Sequence, residues 1–229
     1  MDATLPPRLR AVLCGRVAAL GDVRSGIDKR LVTGPHAVGP LGLAGDEQAD
    51  LRVHGGPDKA VHVYAWSHYG FWRERWPQNP LLDRPGAFGE NFSVEGMDEH
   101  TVCLGDEWRV GTARLVVAQG RQPCFKLNLR FGVADMAQQV QNSLRAGWYL
   151  RVLEPGRVTA GDAIELIERP HPARTIASLL ALIRDGVTDA AALAPVLSLP
   201  LPASWRKLFE RRTSSGVVED STHRLTGRA

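Results

Sequence analysis

The run Phe92–Ala118, FSVEGMDEHTVCLGDEWRVGTARLVVA, decides the fold class of this chain. Phe92–Val94, Glu107–Val110 and Arg114–Ala118 each read as a short strand, rich in β-branched and aromatic residues. Gly105-Asp106 and Gly111 punctuate them, and these are residue types that let a chain turn sharply. Short strands in quick succession, without regular helical crossovers, favour a barrel over a doubly wound parallel sheet.

The pattern extends in both directions. Upstream, Val61-His62-Val63-Tyr64 reads as a strand, and residues 8–20, rich in Val, Leu and Ala, suit a first strand. Between them, 33–45 is rich in Gly and Pro and too irregular for a long helix. Ser67–Trp76 carries Tyr69, Trp72 and Trp76 at spacings of three and four, one face of a helix that Pro77 ends. Downstream, Val133–Leu144 is helical, with Val133, Met136, Ala137 and Val140 on one side. Tyr149–Leu153 and Ala163–Ile167 are strands joined by the turn-rich EPGRVTAGD. After Pro170 the character changes to three short helical patterns, Thr175–Arg184, Asp189–Leu197 and Ala203–Arg211. The expected architecture is mainly β with helices. A β-barrel-like domain over 1–170 is followed by a small all-α domain and tail over 171–229, with the boundary at Pro170–Pro172.

Composition narrows the function. The chain has 229 residues, 44% of them hydrophobic and 23% charged, the profile of an ordinary globular protein. Its net charge of +3 resides in residues 171–229, so the main body has no excess to drive binding to a nucleic-acid polymer. The N-terminal apolar run AVLCGRVAAL is broken by Arg16 and too short to span a membrane. A cytoplasmic protein with no membrane partner is expected. Three cysteines, Cys14, Cys103 and Cys124, cannot build a four-cysteine zinc site, a cysteine-ligated iron–sulfur cluster or a disulfide framework. No P-loop, dinucleotide fingerprint or nucleophile elbow is present. His54, His62 and His68 are spaced by eight and six, which matches no usual zinc pattern, and a structural role is expected for His62 and His68.

Three stretches look unlike ordinary core. In Gly42–Tyr64, GLAGDEQADLRVHGGPDKAVHVY, Asp46 suits a tight turn. His54 and Lys59 flank Gly55 and Gly56, whose exposed amides with one ammonium suit a phosphate cradle. In Phe88-Gly89-Glu90-Asn91-Phe92, Glu90 and Asn91 offer donors and acceptors to a polar heterocycle. In GRQPCFKLN, 120–128, Cys124 lies three residues after Arg121 and two before Lys126. Nearby cations favour the thiolate, the form that binds soft metals. Cys14 and Cys103 sit in apolar runs and read as buried thiols.

Taken in order, GLAGDEQAD, VHGGPDKAVHVY, FGENFSVEG, LGDEW and QPCFKLN resemble the MOSC domain family, and within it the YiiM-like branch, whose members add a small C-terminal helical domain. GWYLRVLEPGRVTAGDAIEL and the C-terminal W…RRTSSGVVEDSTHRL extend the resemblance over nearly the whole chain. The resemblance implies a β-barrel-like domain that binds the molybdenum cofactor, Mo-molybdopterin, with Cys124 as the protein ligand to the metal. It implies Lys59, Arg121 and Lys126 at the anionic parts of the cofactor, with Gly55 and Gly56 beside Lys59. It puts Asp46, His54, Glu90 and Asn91 around the pterin or the metal-facing pocket, with Asp46, Glu90 and His54 as candidate proton donors. The implied activity is reduction of N-hydroxylated compounds such as 6-hydroxylaminopurine, in detoxification. With no nucleotide fingerprint and too few cysteines for a cluster, the electrons must come from a separate flavin or iron–sulfur reductase. A homodimer is compatible with this reading. Two alternatives use the same residues: a sulfur carrier bearing a persulfide on Cys124, and a non-catalytic molybdopterin carrier.

Overall fold

The computed structural model of the protein describes residues 6–228. β1 (Arg8–Cys14) opens it, followed by the hairpin β2 (Ala18–Leu20) and β3 (Val23–Ser25), then β4 (Arg30–Leu31), β5 (His36–Gly39) and β6 (Gly42–Leu43). Next come α1 (Leu51–His54), β7 (Val61–Ala65), α2 (His68–Arg75), β8 (Phe92–Glu95), β9 (Glu107–Val110) and β10 (Ala113–Gly120). α3 (Lys126–Phe131), α4 (Met136–Ser143), β11 (Trp148–Glu154), β12 (Gly156–Val158) and β13 (Ile164–Glu168) complete the β-rich part. α5 (Ile176–Arg184), α6 (Ala190–Leu197), α7 (Ala203–Ser215) and α8 (Thr222–Thr226) follow.

Eight strands form one sheet in the order β13-β9-β10-β11-β7-β8-β1-β4. The sheet curls until its ends meet: Ile164 N donates to Pro7 O at 3.0 Å and Leu9 N to Asp162 O at 2.8 Å. The barrel-like architecture expected from the strand spacing is therefore the one observed. Its pairs are antiparallel except β7–β8, whose parallel pairing needs a crossover, and α2 lies on that crossover. All five residues of β7, VHVYA, are buried, because β11 and β8 flank it and both its faces are covered. α2 buries Tyr69 and Trp72 as its periodicity requires, and its last turn closes with Trp76 N donating to Trp72 O.

Three expectations differ in detail. Residues 8–20 do not form one strand: β1 ends at Cys14, and Ala18–Leu20 is β2, paired with β3 in a separate two-stranded sheet. The Gly- and Pro-rich 33–45 is not wholly irregular, since β5 and β6 form a hairpin there that β12 extends. The helix expected from Val133 begins at Met136. Gly132 ends the preceding α3 in a left-handed turn, and α3 is too short to declare itself by periodicity.

The hydrophobic core runs continuously from the barrel into α5, α6 and α7. Gly120 makes this possible, because a Cβ there would lie 2.8 Å from the Leu180 side chain of α5. Arg212 of α7 is almost fully buried and ties the helices together. It donates to Leu182 O at 2.8 Å and Ile183 O at 3.1 Å, carbonyls of the last turn of α5 that also accept from Val187 N and Gly186 N, and pairs with Glu219. Among the described residues no helix is long and apolar enough to cross a membrane.

Glu99 is a second buried anchor. Its carboxylate accepts from Gly147 N at 2.6 Å and lies 2.5 Å from His68 Nε2. Burial pushes this carboxyl up, but His68 and the Gly147 amide outweigh burial and hold it below the usual range. His68→Ala, which strands a buried carboxylate, is expected to destabilise the fold by about 3 kcal/mol, measured by urea unfolding.

Candidate functional site

β10 ends at Gly120, and the loop Arg121–Phe125 carries Cys124 to the start of α3. Cys124 is half-buried, and its Sγ stands 3.6 Å from Nε2 of His54, the last residue of α1. These two side chains sit where a small inner chamber, about 90 Å³, meets a larger outer one of about 670 Å³. Lys59, Gln122, Lys126 and Tyr149 also line both.

The sheet register builds the inner chamber. β7 pairs with β11 so that His62 lies opposite Tyr149, their rings 5.2 Å apart. Arg121 is anchored on the same strand, with its backbone N donating to Gly147 O at 2.9 Å. Gly147 must be glycine, with φ +79° and a Cβ that would sit 2.3 Å from Val63 O. Arg121, nearly buried, has no carboxylate partner among the described residues, and its Nη1 has no acceptor. Lys126 likewise makes no ion pair among the described residues.

Burial first, and then this charge, shifts its neighbours. Burial, then Lys126, Lys59 and Arg121, push His54 down from 6.5 to about 4, so its imidazole is neutral at pH 7. Burial and Arg121 push His62 well below its ordinary value. Burial pushes the Tyr149 phenol up, with Arg121 opposing. Buried polar atoms without partners gather here: His54 Nδ1, His62 Nε2 and Arg121 Nη1 on the inner chamber, and Gln119 Nε2 on the outer. Each unmet buried group costs about 1–3 kcal/mol, so the cleft suits a polar, anionic ligand that meets several at once.

Of the residues singled out in the sequence, Asp46, His54, Lys59, Asn91, Arg121, Cys124 and Lys126 come together around the inner chamber. Asp46 is not a free acid. Its carboxylate accepts from Gly15 N at 2.8 Å, Asn91 Nδ2 at 2.9 Å, Gln48 Nε2 at 3.1 Å and the buried Lys29 ammonium. Asn91 joins this node to the sheet, accepting from His62 N and donating to Leu13 O. Glu90, Gly55 and Gly56 do not line either chamber. The fully buried Glu90 carboxylate accepts from Tyr69 Oη at 2.5 Å, Gly86 N at 2.8 Å and Phe88 N at 3.1 Å, and so pins the 86–90 turn. Gly56, at φ +95°, precedes the single 3-10 turn that carries Lys59.

The other thiols behave as core groups. Burial pushes Cys14 up to about 11, and Cys103 is buried with its Sγ 3.4 Å from Pro172 O. Sequence reasoning missed Lys29, Tyr149, Trp205 of α7, and His223 and Arg224 of α8, all on the cleft, and took His62 as structural. Only strand alternation in β11 could have pointed to Tyr149; nothing local marks the others. Among the described residues no three His, Cys, Asp or Glu side chains converge as a metal site of their own.

Residues 50–165 match the family model of the MOSC domain, and 173–216 match the model of the YiiM-like 3-alpha helix domain. Protein YiiM of Escherichia coli K12 is 38% identical, over 95% of this chain and 97% of its own length. A protein of Gibberella moniliformis named Reductase is 36% identical over 92% of this chain, which spans 38% of that longer protein. The crystal structure of YiiM from Geobacillus stearothermophilus superposes with a TM-score of 0.77 at 34% identity, covering 90% of this chain and 99% of that one.

Two outcomes follow from the cleft's charge. His54 and His62 take up protons in the unfolded chain near pH 6.5 but resist them when folded. Stability is therefore lost as pH falls from 6.5 toward 4, by up to ~1.4 kcal/mol per pH unit for each histidine. Urea unfolding at stepped pH measures the slope, and His54→Gln is expected to remove about half of it. Arg121→Met is expected to stabilise the ligand-free protein by about 1 kcal/mol and to weaken its binding of inorganic pyrophosphate, read by calorimetry.

Proposed function

The chain belongs to the YiiM-like branch of the MOSC domain family, and on that premise we propose that it is a molybdenum-cofactor-dependent reductase of N-hydroxylated compounds such as 6-hydroxylaminopurine. Membership of this family supports a molybdenum-cofactor-related function. One observation carries the proposal. A single half-buried thiol stands at the junction of two chambers whose walls hold a cluster of cations, Arg121 and Lys126 among them without a carboxylate partner among the described residues, and unmet buried polar atoms.

That donor set fits the cofactor. Molybdenum prefers soft sulfur donors, and Cys124 supplies one as the only protein ligand, with the remaining sulfur coming from the dithiolene. Arg121, Lys126 and Lys59 offset the negative charge of the cofactor, and Asn91 and His62 offer hydrogen bonds at the inner chamber. When bound, the group supplies a two-electron redox couple and an acceptor for the hydroxyl oxygen. The net reaction takes R–NHOH, two electrons and two protons to R–NH2 and water.

The chain's own contribution is orientation and proton handling. Asp46 and Glu90 are fully engaged with backbone and side-chain donors, so neither is the proton donor in this reading. His54 is left: neutral, 3.6 Å from the thiol, with an unpartnered Nδ1. Burial, more than the cations, holds its basicity down, and anionic charge bound beside Lys126, Lys59 and Arg121 counters the part that the cations contribute. His54 then accepts a proton and returns it to the departing hydroxyl. A separate flavin or iron–sulfur reductase delivers the electrons. The fungal relative named Reductase, longer than this chain, is in keeping with a reductive role.

Protein produced in a cofactor-competent host should carry molybdenum and reduce 6-hydroxylaminopurine with reduced benzyl viologen. Cys124→Ala should lose the metal and at least roughly a hundredfold of the rate. A Cys124→Ala protein that keeps both metal and activity overturns the assignment. A persulfide on Cys124 in metal-free wild-type protein would point to sulfur transfer instead.

A further inference from the structure

Residues 221–227 reach the site from the far end of the sequence. Phe125 N donates to Arg224 O at 2.7 Å, and Arg224 Nη1 donates to Pro123 O at 2.7 Å. The first bond holds the peptide unit that follows Cys124, and the second holds the one that precedes it. A peptide unit is planar, so fixing both flanking planes fixes φ and ψ of the residue between them, and with these the direction of its Cα–Cβ bond. One residue, about a hundred positions away, sets where the Cys124 side chain points.

Arg224 is itself held. Its Nη2 donates to Gln141 Oε1 of α4 at 2.7 Å and to Ser221 Oγ at 3.0 Å. The neighbouring Leu225 O accepts from Asn128 Nδ2 of α3 at 2.7 Å. Arg224 has no ion-pair carboxylate among the described residues, and it lines the outer chamber with Cys124. A guanidinium fork reaches Pro123 on one side and Gln141 on the other at the same time, which the single ammonium of lysine cannot do.

The geometry points to Arg224 as a positioning residue for Cys124, which makes α8 a strap that completes the site. This rests on the reading of Cys124 as the metal ligand, but the strap is testable without the metal. Three variants decide it: Arg224→Met, Arg224→Lys, and Arg228→Met as a control in the same exposed tail. In the cofactor-free protein, Arg224→Met is expected to raise amide hydrogen exchange in 124–128 by roughly tenfold, with β7 and β10 unchanged. In the molybdenum-loaded protein it should lower kcat by roughly tenfold or more, with KM for 6-hydroxylaminopurine within about twofold. Arg224→Lys should recover part of both losses, and Arg228→Met should match the wild type. Should Arg224→Met not fold, Gln141→Met removes one acceptor of the same guanidinium and should raise exchange in 124–128 by about threefold.

Exchange in 124–128 that stays at the wild-type level, or that rises equally in β7 and β10, overturns the positioning role. So does an Arg224→Lys protein no better than Arg224→Met. The two readings fail separately. A wild-type protein without molybdenum or turnover removes the reductase reading while the exchange comparison still decides the strap. An active wild type with unchanged exchange in Arg224→Met removes the strap alone.

Discussion

Arg121 holds a full positive charge in a nearly solvent-free place with no carboxylate to oppose it. Left to itself, a buried ion without a partner would be expelled or replaced. Here the backbone keeps it in place. Arg121 N is bonded to Gly147 O, Gly147 N is bonded to Glu99, and Glu99 is held by His68. Each link is buried, and the glycine is the only residue that fits between β7 and β11 at that point. Burial first, and then the cations of the cleft, Arg121 among them, keep His54 and His62 below their ordinary values beside the orphaned polar atoms of the chambers.

The acidic residues explain why the charge stays uncompensated. Asp46, Glu90 and Glu99 all lie close to the site in sequence motifs or in the fold, and none of them meets Arg121 or Lys126. Each is instead committed elsewhere: Asp46 to Lys29, Gly15 and Asn91, Glu90 to the 86–90 turn, and Glu99 to His68 and Gly147. The carboxylates make the walls rigid, and Arg121 and Lys126 line the cleft with no carboxylate partner among the described residues. This division is what an anion-binding site requires, and it costs stability in the empty protein.

The C-terminal helices are part of the same design. They share the core of the barrel through Gly120 and Leu180, and α7 and α8 place Trp205, His223 and Arg224 on the outer chamber. Such a site cannot be assembled by the barrel strands alone, since its wall and the anchor of the Cys124 loop both come from residues after 200.

Much of this was legible before the fold was known. Val61–Ala65 read as a strand because an unbroken apolar, β-branched run suits a covered strand, and α2 read as a helix from the spacing of Tyr69, Trp72 and Trp76. Cys124 stood out because cations flank it within three residues. Among the stretches that escaped were α3, α8 and the β5–β6 hairpin, which are too short to carry a period. Glu90 and Asp46 were legible as polar residues in unusual surroundings, but a motif cannot say whether a carboxylate faces a ligand or a row of amides. Local order, element types and the candidate thiol follow from the chain itself, because neighbours within a turn or a strand determine them. Which carboxylates are engaged, which cations are left bare, and how Arg224 meets the loop of Cys124 are decided only when distant segments pack, because charge balance depends on distances in space.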